Sequence, residues 1–143
     1  MADTIRLRVI TPSRVLFDEE VDEVTAPGAL GEIGVLPNHI TFLTLLEPGE
    51  LSLKQGASRH YLAVGGGYAE VLDNVMTVLA TAAEFPDEID VGRAQRAGEE
   101  AESRIGELSE EGKESTAAEA ALRWARVRIE VAGKEARKQQ RQA

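Results

Sequence analysis

The chain has 143 residues, carries a formal net charge of -9 and contains no cysteine. That length suits one ordinary domain or two small ones. The acidic balance argues against DNA or RNA as a partner, which would need a basic footprint, and the missing thiols exclude disulfides and thiolate metal sites.

From the start, Met1-Ala2-Asp3-Thr4-Ile5-Arg6 shows no basic region leading into an apolar run, so no signal peptide is expected, and no stretch reaches the roughly 18 apolar residues of a membrane span. Ile5-Arg6-Leu7-Arg8-Val9 alternates as a half-buried strand does, and Pro12-Ser13 ends it. Val15-Leu16-Phe17 and Val21-Asp22-Glu23-Val24 read as the next strands. Asp18-Glu19-Glu20 between them could imitate paired catalytic carboxylates, but a solvated connection explains it at lower cost. Gly31 to His39 reads as a strand entered and left by tight bends and ending in the rigid corner Pro37-Asn38-His39, because glycine opens backbone angles and proline closes them. Thr41–Leu46 follows; its period also fits a helix, while its β-branched content and short length favour a strand. Leu51–Leu53, His60–Val64, Tyr68–Leu72 and Val75–Leu79 complete the set, with turns at Gln55–Ser58 and Asp73-Asn74. Gly65-Gly66-Gly67 lacks the Lys-Ser/Thr of a phosphate-binding loop and precedes a strand, so it predicts a bend or bulge where another backbone comes close. Short strands with closely spaced turns predict an N-terminal β-sandwich, a flattened barrel of short antiparallel strands.

The character changes near Phe85-Pro86-Asp87, dividing the chain into a sandwich over residues 1–86 and a helical region over 87–143. Asp90 is a good N-cap for a helix whose face is Ala94, Ala97, Ala101, Ile105 and Leu108. Ser109-Glu110-Glu111-Gly112-Lys113 interrupts it. A second helix, capped by Ser115 or Thr116, presents Ala118, Ala121, Leu122, Ala125, Ile129 and Ala132, and a basic, Gln-rich tail frays from Gly133. The two predict an antiparallel α-helical hairpin with a mostly alanine seam, worth only a few kcal/mol after ordering costs, at about 0.8 kcal/mol per buried methyl. The first helix is acidic (Glu99, Glu100, Glu102, Glu107); the second and its tail are basic (Arg123, Arg126, Arg128, Lys134, Arg137, Lys138, Arg141). A static hairpin with two solvated faces and a switchable one fit this pattern equally.

Four blocks carry a resemblance: Gly31-Glu32-Ile33-Gly34-Val35-Leu36-Pro37-Asn38-His39 with Glu47-Pro48-Gly49, then Val64–Val71, Asn74–Ala80 and Ile89–Ala94. In this order they resemble the epsilon subunit of the F-type ATP synthase. The resemblance implies a non-catalytic central-stalk subunit that couples ion flow through the c-ring to ATP synthesis. Its sandwich would lie beside the gamma subunit and c-ring, on the cytoplasmic face of the bacterial inner membrane. Its hairpin, when extended, would reach the beta and alpha subunits and inhibit ATP hydrolysis through Arg123, Arg126 and Arg128. Glu32 resembles the acidic residue at the ring contact and His39 the histidine near gamma; on chemistry alone they also fit an exposed turn carboxylate and a ring satisfying loop backbone groups.

Ile89, Asp90, Arg93 and Ala94, with Arg128, match the motif through which some relatives bind ATP on the folded hairpin. Arg93 would supply charge, and Asp90 would cap the helix or hold the base. Glu100 and Trp124, however, stand where those binders carry arginines, and Gly92 weakens the first turn. These departures predict weak or no ATP binding, with no cofactor required. Only His39 and His60 exist, in no metal-binding spacing, so no metal is expected; Ser13, Ser52 and Ser58 lie in no nucleophile context. The alternative is a stand-alone β-sandwich binding module with a helical dimerisation element; a small hydrolase lacks a convergent nucleophile and base.

Overall fold

The computed structural model describes residues 3–142, with side chains described as far as Lys134. The chain divides into two compact units, Met1–Glu84 and Phe85–Ala143.

The first unit is one continuous sheet folded over into a sandwich. Its strands are β1 (Ile5–Ile10), β2 (Val15–Val21), β3 (Glu23–Gly28), β4 (Gly31–Val35), β5 (Phe42–Gln55), β6 (Ser58–Leu72), β7 (Val75–Ala80) and β8 (Ala83–Glu84). They pair in the order β2-β1-β7-β6-β5-β3-β4, with β8 on β6. Every pairing is antiparallel except β1 with β7, so the expectation of a purely antiparallel barrel is corrected there. The strands are also not all short. The segments predicted as Thr41–Leu46 and Leu51–Leu53 are one strand of 14 residues, and those predicted as His60–Val64 and Tyr68–Leu72 are one of 15. Pro48-Gly49 and Gly65–Gly67 bend these strands without ending them, because the two lie side by side and satisfy each other's backbone groups from Phe42–Val71 to Gln55–Ser58. Across the fold, the Asp22 N–H donates to Lys54 O at 2.7 Å and Gln55 Nε2 to Glu20 O at 2.9 Å, bringing β2 against the far end of β5.

The interior is apolar and fully enclosed: Ile5, Leu7, Leu51, Leu53, Leu62 and Met76 are the largest buried side chains. The acidic triplet Asp18-Glu19-Glu20 is strand, not a connection; the chain breaks at Asp22 instead. Charged residues are tolerated there because β2 is an edge strand with one face in solvent. On that face Asp18 takes Arg6 Nε at 2.7 Å and Arg8 Nε at 3.6 Å. The Arg6 hydrogen bond is the main reason the Asp18 carboxyl is held below its ordinary range. The pair's contribution to stability is therefore present above the ordinary carboxylate range and is lost as pH falls through the lowered value.

In the second unit a 3-10 turn, Pro86–Glu88, precedes α1 (Val91–Glu110) and α2 (Thr116–Gln142). Asp90 caps α1, its Oδ1 accepting the Arg93 N–H at 3.0 Å. Of the two candidates for the second cap, it is Ser115 whose Oγ accepts the Ala118 N–H, at 3.1 Å. Gly112, at φ +73°, closes α1: the Lys113 N–H bonds Leu108 O at 2.7 Å and the Gly112 N–H bonds Ser109 O at 3.0 Å. Gly133 does not begin a frayed tail; α2 continues through it to Gln142. The predicted tail residues Arg137, Lys138 and Arg141 lie outside the described side chains.

The buried face differs from expectation on both helices, and on α2 the fully buried residue near its end is Val131, which the expected face omitted. Ala97 and Ala121 are exposed, and Gly98 is buried beside Ala94 and Ala101. A Cβ on Gly98 would sit 3.4 Å from Ala125 Cβ, so the two helices are in close contact there. Glycine also stands at Gly92 and Gly106 in α1, each costing about 1 kcal/mol of helix propensity relative to alanine. An alanine-and-glycine seam under a glycine-weakened helix leaves the closed hairpin with little margin.

Candidate functional site: an apolar sheet face, a corner and a basic helix

Strand register brings together residues that are far apart in sequence. Val15 faces Ile10, Ile10 faces Leu79, Leu79 faces Tyr68, and Tyr68 faces Leu45. Side chains directly opposite on paired strands point to the same side of the sheet. These five therefore form one apolar row across β2, β1, β7, β6 and β5, on the outer surface. Val15, Leu79, Tyr68 and Leu45 each leave just over half their surface in solvent, and Leu43, two residues along β5 on the same side, leaves 67%. Single exposed apolar residues need no explanation; a contiguous row spanning five strands is the kind of surface that suits contact with another molecule. Sequence reading missed it. The signal was present as apolar residues at both odd and even positions of β5, which a one-sided strand would not carry.

The corner between β4 and β5 extends this surface. Ile40 is 78% exposed and leads directly into β5. His39 is half-buried, its Nδ1 lies 2.9 Å from Ile40 O, and its ring packs tilted against Phe42 at 5.0 Å between centroids. The ring thus does satisfy loop backbone, and it packs on Phe42, which lies on the side of β5 opposite Leu43 and Leu45. Glu32 is exposed on β4, the edge strand at the other end of the sheet order. Leu30, at the tip of the β3–β4 turn, is fully exposed close to it in sequence.

On the hairpin, the ATP-motif residues serve the fold. Ile89 and Ala94 are buried, and Asp90 is the cap already described. Arg93 is exposed in the first turn, and Arg128 lies over the Trp124 ring at 5.8 Å. The antiparallel register seen at Gly98–Ala125 brings Arg128 to about the level of that first turn. Glu100 lines a groove of about 370 Å³ with Ala97, Ala101, Arg104, Ala118 and Ala121, where it places negative charge. Of the basic residues on α2, Arg126 reaches across the hairpin to Glu102 at 3.3 Å, and both are well exposed. Such a pair is worth little, about 0–1 kcal/mol. Among the described residues no three His, Asp or Glu side chains converge to hold a metal, and no helix is long and apolar enough to cross a membrane.

Residues 4–86 match the model of the ATP synthase delta/epsilon chain β-sandwich domain, and residues 87–133 that of the same chain's long α-helix domain. The chain belongs to the ATP synthase delta/epsilon family. It is 49% identical over 138 residues to the ATP synthase epsilon chain of Geobacter metallireducens, covering 96% of this chain and 100% of that one. The epsilon chain of Geobacter sulfurreducens is 48% identical over the same length and shares. Among solved structures, a chain of the Euglena gracilis mitochondrial ATP synthase superposes with a TM-score of 0.74 at 26% identity, covering 90% of this chain and 81% of that one. A chain from the Tetrahymena thermophila mitochondrial enzyme, described as central stalk and c-ring, shares the fold at 16% identity and a TM-score of 0.52, covering 59% of this chain and 68% of that one. As an epsilon chain of the F-type ATP synthase, this protein is a subunit of a rotary enzyme complex and is membrane-associated through that complex.

Proposed function

We propose that this epsilon chain has no chemistry of its own and acts by contact in the central stalk, on the cytoplasmic face of the bacterial inner membrane. The sandwich docks on the gamma subunit through the row Val15–Ile10–Leu79–Tyr68–Leu45 and the His39 corner, while Glu32 on the edge strand faces the c-ring. The hairpin, when extended, meets the beta and alpha subunits with Arg123, Arg126 and Arg128 and restrains ATP hydrolysis. The observation that carries the reading is the exposed five-strand apolar row. Leu45→Glu places a charge at its end on a side chain already in solvent, so the isolated chain keeps its stability. Its affinity for purified gamma falls about 30-fold or more, the loss of one anchor of about 2 kcal/mol. Unchanged affinity removes the row from the interface.

ATP is at most a weak ligand of the closed hairpin. Ile89 and Ala94 are committed to packing, and Glu100 opposes a triphosphate. Isothermal titration of the full chain is expected to give a Kd of about 1 mM or weaker. Tight binding that vanishes in Arg93→Ala would reverse this.

A further inference from the structure

The corner that leads into β5 is tethered from outside itself. Asn38 stands at its apex with φ +63°. Its backbone N–H donates to Asn74 Oδ1 at 2.7 Å, and its Nδ2 donates to Asp3 Oδ2 at 3.2 Å. Asn74 belongs to the β6–β7 turn, where φ is +61°, and its own Nδ2 donates to Thr4 O at 2.9 Å. Only one orientation of the Asn74 amide satisfies an N–H on one side and a carbonyl on the other. Its backbone is held as well, its carbonyl oxygen accepting the Arg6 N–H at 3.2 Å. One side chain thus ties the β4–β5 corner to the start of the chain. Within the corner, His39 N–H to Leu36 O at 3.2 Å is the remaining backbone link. A turn needs a residue that tolerates a left-handed backbone at position 74; it does not need an amide reaching into a different loop.

We infer that Asn74 is a positioning residue for the docking surface: it holds the Asn38–Ile40 apex so that His39 and Ile40 meet the partner already arranged. This rests on the gamma-docking reading above. A preset loop spares the complex the ordering cost that a mobile loop would incur on binding.

The test uses the full chain with Asn74→Gly, which keeps the turn's backbone and removes the amide, and Asn74→Asp, which keeps an acceptor for the Asn38 N–H. Asn74→Gly is expected to speed amide hydrogen exchange at Asn38 and weaken gamma binding, each by about ten-fold, roughly the worth of one lost hydrogen bond. Melting temperature stays within a few degrees of the parent. Asn74→Asp restores the acceptor for Asn38 but sets an oxygen against Thr4 O, so it recovers protection at Asn38 only in part. Equal gamma affinity in Asn74→Gly, or unchanged exchange at Asn38 in that variant, overturns the inference. Should Asn74→Gly fold poorly, exchange at Asn38 in the parent decides: protection is expected, and exchange as fast as in an open loop overturns it. Leu45→Glu separates the two levels. If it abolishes gamma binding while Asn74→Gly does not, only the positioning role falls; if it leaves gamma binding intact, the docking reading falls and takes the positioning role with it.

Discussion

Ending the chain before Asp90 raises ATP hydrolysis by the reconstituted complex while the truncated subunit still assembles. The hairpin is the one part of the molecule whose closed form is held by little. Its buried residues are Ala94, Gly98 and Ala101 on α1 and Ala118, Ala125 and Val131 on α2, only the last of them larger than alanine, while Ile105, Leu108, Leu122 and Ile129 are only partly covered. Its described cross-helix ion pair, Glu102–Arg126, is largely in solvent. α1 carries three glycines, which together cost it about 3 kcal/mol of propensity. A gap this small can be reversed by a surface that binds the extended form better. If the braking form is favoured by about 1 kcal/mol, about one complex in six is unbraked, and removing the hairpin raises hydrolysis about six-fold. The sandwich retains its own core and the apolar row, so incorporation persists. Unchanged hydrolysis on truncation would leave the chain a purely structural coupler.

Gly67→Ala is expected to be the most damaging single substitution in the sandwich. Gly67 sits at φ +141°, a conformation that side-chain-bearing residues rarely adopt. A Cβ there would overlap the carbonyl oxygen of Leu79 and lie 3.0 Å from Ala80 Cα, both backbone atoms of the neighbouring strand. Neither can yield without parting β6 from β7 at the Gly67–Ala80 pair, the last before the chain turns through Thr81 and Ala82 to β8. Thr81 and Ala82 are themselves locked there, Thr81 N–H to Gly66 O at 3.0 Å and Gly65 N–H to Ala82 O at 2.8 Å. Backbone strain and overpacking together come to about 3–5 kcal/mol. That lowers Tm by about 15 °C or more in a domain of this size. Gly56→Ala is the control: φ is +59°, nothing lies within 4 Å of the added carbon, and the cost is about 1–2 kcal/mol. A loss at Gly67 no greater than at Gly56 would mean that the two strands separate easily at the bend.

Features set by near neighbours were legible without coordinates. The Asp90 cap, the break over Ser109–Lys113, the turn at Asp73-Asn74 and the close backbone approach at Gly65–Gly67 each depend on a few consecutive residues and the backbone angles they allow. At the seam of α1, periodicity weighs side chains, so Ala97 scored and Gly98 did not, yet it is Gly98 that is buried, within contact distance of Ala125. Asp18-Glu19-Glu20 looked like a loop because charge suggests solvent, and an edge strand meets solvent without ceasing to be a strand.

The order of strands and helices, and the membership of the family, were written in local pattern: alternation, caps, glycines and four blocks in register. The exposed apolar row was not. Val15, Ile10, Leu79, Tyr68 and Leu45 become neighbours only through the parallel pairing of β1 with β7 and the shared length of β5 and β6. The tether from Asn74 to Asn38 likewise spans 36 residues. Alternation along a strand states that its two sides differ; which apolar side is enclosed and which is left for a partner depends on the layer that folds over it, and that is a property of the whole sheet.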